Sequence, residues 1–110
     1  MNAVSLPRLC EENLAAARSS SAGRASKTVY GGREHDMRQT LIALVAGARL
    51  HEHDSPTEAT LQVLSGEVRM RTGDDHWDGQ VGDHLVIPPQ RHDLEAVTDA
   101  VVLLTVATRA

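Results

Sequence analysis

The sequence predicts an all-β domain, an antiparallel sandwich or barrel, preceded by a short N-terminal α-helix. Three observations indicate this. Short β-rich runs fill the chain after residue 24, and turn signals separate them. One run, EVRMRT, alternates between apolar and charged residues, as a half-buried strand does. Helical spacing of apolar residues occurs before these runs. Many short strands at this spacing are typical of sandwiches and barrels.

The predicted helix covers residues 5–18, SLPRLCEENLAAAR. Ser5 can cap it, and Pro7 falls in the first turn, where a missing N–H costs little. Its apolar face comprises Leu6, Leu9, Cys10, Leu14 and Ala17. Cys10 is therefore predicted to be a small buried hydrophobe. The SSSAG segment at 19–23 is a flexible joint, so we divide the chain into a helix and linker over 1–24 and one β-barrel domain over 25–110.

The β-rich runs differ in how they are expected to be buried. LIALV and VVLLTV lack alternation, which predicts strands covered on both faces. The SG at 65–66 predicts a tight hairpin between ATLQVL and EVRMRT. Trp77 is expected to pack at a barrel end or a subunit contact, and Tyr30 to lie in the core. The predicted strands are SKTVY, RQTLIALVA, ARLHEH, ATLQVL, EVRMRT, HLVIP, HDLEAV and AVVLLTVAT.

Composition excludes several classes of function. At 110 residues the chain forms one domain, and its net charge of −4 with few aromatic residues argues against nucleic acid as a partner. The single cysteine permits no intramolecular disulfide, and no apolar run approaches the roughly 20 residues that span a bilayer. We therefore expect a cytoplasmic protein without a membrane partner.

Two histidines, His51 and His53, lie two positions apart on a predicted strand. Side chains at this spacing share a face of a regular strand, so both imidazoles could bind one metal ion. A surface strand can also carry this pattern with no metal. Further ligands must come from elsewhere, and the sequence offers His92 after IPPQ and Glu58 shortly after His53.

The surroundings of these histidines resemble the two motifs of the cupin superfamily. Gly47 precedes the HxH pair, and Glu58 and Gly66 follow it. The stretch VGDHLVIPPQRH is similar to the second motif, in which a GD turn and an apolar strand lead to a proline and a histidine. The resemblance covers roughly residues 25–109. It is strongest to small bacterial one-domain cupins.

The spacing departs from the family pattern at Glu58. Counted forward from His53 the family's glutamate falls on Glu58, whereas counted back from Gly66 it falls on Ala59. A slip of one residue moves a strand side chain to the opposite face. Glu58 is thus either a ligand through a bulge or a loop residue that points away. The second motif has Gln90 in place of its glycine.

The resemblance implies a jelly-roll β-barrel around a cavity for a small-molecule ligand, and a homodimer formed by exchange of N-terminal strands within 25–46. It also implies a divalent transition metal, Zn, Fe, Ni, Mn or Cu, with open coordination positions. Three functions stay open: a metal-dependent enzyme of dioxygenase or isomerase type, a non-catalytic binding or sensing module, and a barrel that has lost its metal chemistry. No catalytic residue is assigned. The predicted metal ligands are His51, His53, His92 and Glu58.

Overall fold

The computed structural model describes residues 1–53 and 58–108, and it confirms the predicted all-β fold with an N-terminal helix. Every strand pair in the described part of the chain is antiparallel. The elements are α1 (Leu6–Ser19), β1 (Arg24–Gly31), β2 (Met37–Leu44), β3 (Arg49–His53), β4 (Ala59–Ser65), β5 (Val68–Thr72), β6 (Asp75–Gly79), β7 (His84–Val86), β8 (His92–Ala96) and β9 (Ala100–Ala107).

The strands form two sheets that enclose the main core, as in a jelly roll. The five-stranded sheet has the order β1-β2-β9-β4-β7, and the four-stranded sheet has the order β3-β8-β5-β6. The inward residues of both sheets make one apolar cluster, which includes Leu44, Val63, Val68 and Val102. In β5 the predicted alternation is confirmed, since Val68 and Met70 are buried.

Helix α1 covers the outer face of the five-stranded sheet. Its N-cap is Ser5, whose Oγ accepts a hydrogen bond from the backbone N–H of Arg8 at 3.3 Å. The buried helix residues Leu9 and Ala17 share a second apolar cluster with Leu41 and Val101 of β2 and β9. The prediction that these two strands are covered on both faces is confirmed. Cys10 packs beside this cluster, and burial raises the pKa of its thiol.

Two local predictions are wrong. The SG segment does not close a hairpin, because β4 and β5 belong to different sheets and the chain crosses between them at Gly66. Tyr30 is not in the core: 53% of its surface is exposed, and its ring lies 5.3 Å from that of His35.

No helix among the described residues has the length and apolar character needed to span a membrane.

One strand was missed in the sequence. Strand β6, DHWDG, pairs with β5 from Thr72 opposite Asp75 to Val68 opposite Gly79. The two strands are joined by Gly73 and Asp74, and Gly73 has a φ of +57°, a conformation that suits glycine. This hairpin places Trp77 beside Met70, its cross-strand partner on the inward face.

Asp99 holds three parts of the fold together near the end of α1. One carboxylate oxygen accepts a hydrogen bond from the backbone N–H of Ala46 at 2.9 Å. The other accepts a hydrogen bond from Nη2 of Arg18 at 2.9 Å. The Ala46 hydrogen bond and then the Arg18 guanidinium lower the pKa of Asp99 from its ordinary value. Its stabilising contribution is therefore present above the pKa of the unfolded chain and is lost as pH falls through the lower folded pKa.

We predict that Asp99→Asn lowers the melting temperature at pH 7 and that the difference from wild type shrinks below about pH 3.9, the ordinary Asp pKa. Thermal unfolding followed by circular dichroism between pH 2.5 and 7 measures this. Asp74→Asn, at the exposed tip of the β5–β6 hairpin, is the matched control. A pH-independent difference for Asp99→Asn would contradict the prediction.

Candidate metal centre and ligand cleft

His92 is the predicted ligand that the fold places inside the barrel. It opens β8, whose residues alternate in burial, and it lies on the inward face with Leu94. Only 2% of its surface is exposed. Its Nδ1 lies 3.0 Å from the carbonyl oxygen of Gln90. Because a carbonyl only accepts, Nδ1 is the donor in this contact.

A small interior cavity of about 40 Å³ lies against His92. Its walls come from both sheets, and the other side chains that line it are apolar. The imidazole is thus the polar side chain among the residues that line this otherwise apolar cavity. The lining residues are Ile42, Leu50, Leu61, Met70, Ile87, His92, Leu94 and Leu104.

His53 is the backbone neighbour of His92 across the four-stranded sheet, since the two residues are cross-strand partners. Its side chain lies outside the described part of the structure. The pairing of Leu50 with Leu94 and of His53 with His92 differs in register by one residue, so β3 carries an irregularity between Leu50 and His53. The assumption of a regular strand, on which the shared face of His51 and His53 depends, does not hold here.

His51 and Glu58 lie away from the interior cavity. His51 is exposed. Glu58 is also exposed; its carbonyl oxygen accepts the N–H of Ala107 at 2.9 Å, and it borders a shallow pocket with Met37 and Thr105. Among the described side chains, which exclude those of Glu52 and His53, no group of three or more His, Cys, Asp or Glu residues could hold a metal ion.

A larger cleft, of about 760 Å³, opens beside the interior cavity. It lies between β6 and β7, the strands that end the two sheets on this side of the barrel. Met70 lines both the cleft and the interior cavity and so stands between them. The cleft is lined by Met70, Thr72, Gly73, Asp75, His76, Trp77, Leu85, Val86, Pro88, Gln90 and Arg91.

Trp77 was the one indication of this cleft in the sequence. The indole is half-buried and lies across Gly79 on its own strand: a Cβ at Gly79 would come within 2.3 Å of the ring atom Cη2. The cleft was not predicted because β6 was not predicted. A Trp two positions before a Gly, directly after a turn, is the signal that could have found it.

The outward face of the four-stranded sheet carries Arg69 and Arg71 of β5, both of which form ion pairs. Arg69 Nε lies 2.6 Å from the Oδ1 of Asp78, and Arg71 Nη1 lies 3.0 Å from the Oε1 of Glu95. The Arg69 hydrogen bond lowers the pKa of Asp78, and the same contact raises the pKa of Arg69. The exposed Arg69–Asp78 pair stabilises the fold little. The Arg71–Glu95 pair is half-buried.

Solved structures share this architecture. A conserved protein of unknown function from Streptococcus pyogenes is 25% identical with a TM-score of 0.71, over 83% of this chain and 79% of that one. An RmlC-like cupin from Desulfovibrio desulfuricans is 28% identical with a TM-score of 0.67, over 77% and 82%. A cupin superfamily protein from Desulfitobacterium hafniense is 16% identical with a TM-score of 0.70, over 78% of each chain.

No protein-family model and no curated protein matches the sequence. The two antiparallel sheets, their order and these structural neighbours agree on the fold, which is that of the cupin superfamily. Within that superfamily the chain is similar to small bacterial RmlC-like and cupin-2 proteins.

Proposed function

We propose that this chain is a metal-binding cupin that acts on a small molecule, with a divalent transition metal held by His92 and His53 and with His51 and Glu58 as further ligands. The observation that carries the proposal is the burial of the His92 imidazole against an apolar cavity. Neutral imidazole is the commonest metal ligand among side chains, and it suits Zn, Fe, Ni and Cu.

The hydrogen bond to Gln90 supports this role for His92. A ligating histidine usually donates its second ring N–H to a carbonyl or carboxylate, which fixes the tautomer and the ring orientation. Gln90 provides that carbonyl 3.0 Å from Nδ1. His53 is the second proposed ligand because paired residues of antiparallel strands have Cα atoms about 4.5–5.5 Å apart, which is close enough for two imidazoles to reach one ion.

His51 and Glu58 are the outer members of the proposed set. Both residues are exposed, and Glu58 borders a different pocket from His92. We therefore expect their removal to weaken metal binding less than removal of His92. Bound by imidazoles with positions left open, Zn, Fe, Ni, Mn or Cu would supply Lewis acidity to a ligand in the barrel. The cavity walls are apolar side chains such as Leu61 and Ile87, which offer no hydrogen bonds to water.

A non-catalytic binding or sensing role is the second candidate. It is favoured by the lining of the interior cavity, in which His92 is the one titratable side chain among the described residues. Oxygen consumption and product formation with diketones, thiols and catechols separate the two roles. Turnover supports the enzyme; a saturable thermal shift without turnover supports the sensor.

The test of the metal site is the metal content of tag-free protein, measured by mass spectrometry of the elements. We predict about one equivalent of metal for wild type and at least a tenfold loss in His92→Ala and in His53→Ala, with smaller losses in His51→Ala and Glu58→Ala. His35→Ala and His84→Ala, which remove exposed histidines outside the cavity, are the matched controls. Unchanged metal content in folded His92→Ala would refute the site.

We also propose that the chain is a homodimer formed through residues 25–46. What supports this is the position of β1, which lies at the end of the five-stranded sheet and pairs there with β2 alone among the described strands. An end strand has backbone groups that can pair with a second chain.

A further inference from the structure

We infer that the cleft between β6 and β7 is the ligand site of this barrel, and that its ligand is a small uncharged molecule with a flat apolar body and hydrogen-bonding groups on its edge, such as a substituted phenol. Trp77 is the platform for the flat body, and Gly79 is a positioning residue that seats the Trp77 ring. The inference rests on the proposed function, because it names the ligand class for the same barrel.

Size assigns the ligand to the cleft. The interior cavity of about 40 Å³ has room for an ion and a few waters, whereas pockets that hold organic ligands measure about 300–1,000 Å³. The cleft, at about 760 Å³, falls within that range. Because Met70 lines both spaces, a ligand in the cleft lies one side chain away from the cavity of His92.

The apolar walls of the cleft favour a flat ligand. Trp77 and Met70 stand side by side on one wall, at paired positions of β6 and β5. Leu85 and Val86 of β7 line the cleft from the other sheet. An indole face attracts a planar group by stacking, so Trp77 in this wall favours a flat ligand.

The position of the Trp77 ring depends on the absence of a side chain at Gly79. A Cβ at Gly79 would come within 2.3 Å of Cη2 and 2.6 Å of Cζ3 of the indole. A side chain at Gly79 would require the ring to move from this position, although Gly79 does not have the positive φ that requires glycine for backbone reasons. The ring is therefore held against the backbone of its own strand.

The rim of the cleft carries both signs of charge, which favours an uncharged ligand. Asp75 contributes a carboxylate, of which Oδ1 accepts the N–H of His76 at 2.9 Å. Arg91 contributes a group of the opposite sign, His76 an imidazole and Gln90 an amide. A full charge on the ligand would meet repulsion from one of the two charged groups of this rim. Hydroxyl groups can donate to the carboxylate and accept from the guanidinium.

The experiment uses 4-methylphenol as the probe and the indole N–H resonance of Trp77, the single Trp of the chain, as the reporter. We expect saturable movement of this resonance on titration of the full chain, and binding at least tenfold weaker for cyclohexylmethanol and for 4-methylbenzoate. Absence of saturable movement with folded wild type, or equal binding of the three compounds, would overturn the inference.

Gly79→Ala tests the seat of the ring. We expect it to weaken 4-methylphenol binding about tenfold, and we expect a much smaller effect of the same change in a Trp77→Phe background, because the smaller ring lacks the atoms that collide. The Trp77→Phe background has no indole reporter, so binding in this comparison is measured by isothermal titration calorimetry for all variants. A purely structural loss would be equal in both backgrounds, and that result would overturn the role of Gly79. Gly82→Ala, where a Cβ meets nothing within 4 Å but φ is +91°, reports the effect of backbone strain alone.

Metal content is measured on the same samples. If wild type binds 4-methylphenol but holds no metal, the proposed metal site is refuted and the cleft proposal stands. Bound metal that depends on His92, together with no binding of the probe, would refute the cleft alone.

Discussion

Gly66→Ala is expected to lower the free energy of unfolding by about 4 kcal/mol, near the upper end of single substitutions. Two penalties combine at this residue. Its φ is +74°, and an added Cβ would lie 2.0 Å from the carbonyl oxygen of Asp99 and 2.9 Å from the Cα of Ala100. The backbone at Ala100 cannot retreat easily, because Ala100 is fully buried and pairs with Leu44 of β2. Urea denaturation followed by circular dichroism measures the loss.

Gly47→Ala is the matched control for this experiment. Gly47 also has a positive φ, of +85°, but a Cβ there meets nothing within 4 Å. It reports backbone strain alone, for which we expect roughly 1–2 kcal/mol. Equal losses in the two variants would show that the crossing of the chain from β4 to β5 is not as close as the structure has it.

The Gly66 crossing also shows why one turn was misread. A Ser-Gly pair between two β-rich runs has the same local sequence whether the strands pair or part. The neighbouring strands decide whether a hairpin forms. Strand β4 lies between β9 and β7, and β5 lies between β8 and β6. Such partners are distant in the chain, and strand preference depends strongly on this context. The double-sided strands were predictable, because burial on both faces removes alternation from the sequence itself.

Strand β6 escaped prediction for a different reason. Its sequence, DHWDG, has one large apolar residue, and its second inward position is a glycine that the Trp77 ring covers. No apolar alternation remains to be recognised. The cleft that we assign to the ligand depends on this strand. The cleft could therefore not be predicted from the pattern of apolar residues.

The candidate metal site was predictable to different degrees along the chain. The IPPQRH stretch correctly indicated a histidine that enters the barrel, and His92 lies there. The sheet faces on which His51 and His53 lie depend on an irregularity in β3. No residue type in the sequence predicts this irregularity. The register of Glu58 was ambiguous in the sequence, and the structure places this residue beside a separate pocket. Metal binding by these residues stays a prediction.

The two faces of β2 are expected to respond differently to truncation. Leu41 and Leu44 are both fully buried, but Leu41 lies in the cluster with α1 and Leu44 lies in the barrel core. Each change to Ala should lower the free energy of unfolding by about 2–5 kcal/mol. Their local effects should differ, because a helix of 14 residues has little stability without the surface on which it packs.

Hydrogen exchange followed by mass spectrometry separates these effects. In Leu41→Ala the amides of α1 should exchange well before those of β4 and β9, since the helix can detach while the two sheets stay closed. In Leu44→Ala the barrel core itself is weakened, so α1 should gain no such lead over the strands. Early exchange of α1 to the same extent in both variants would show that the helix is not held by the Leu41 cluster. The covering of the outer face would then have to rest on the Asp99 contacts with Arg18 and Ala46.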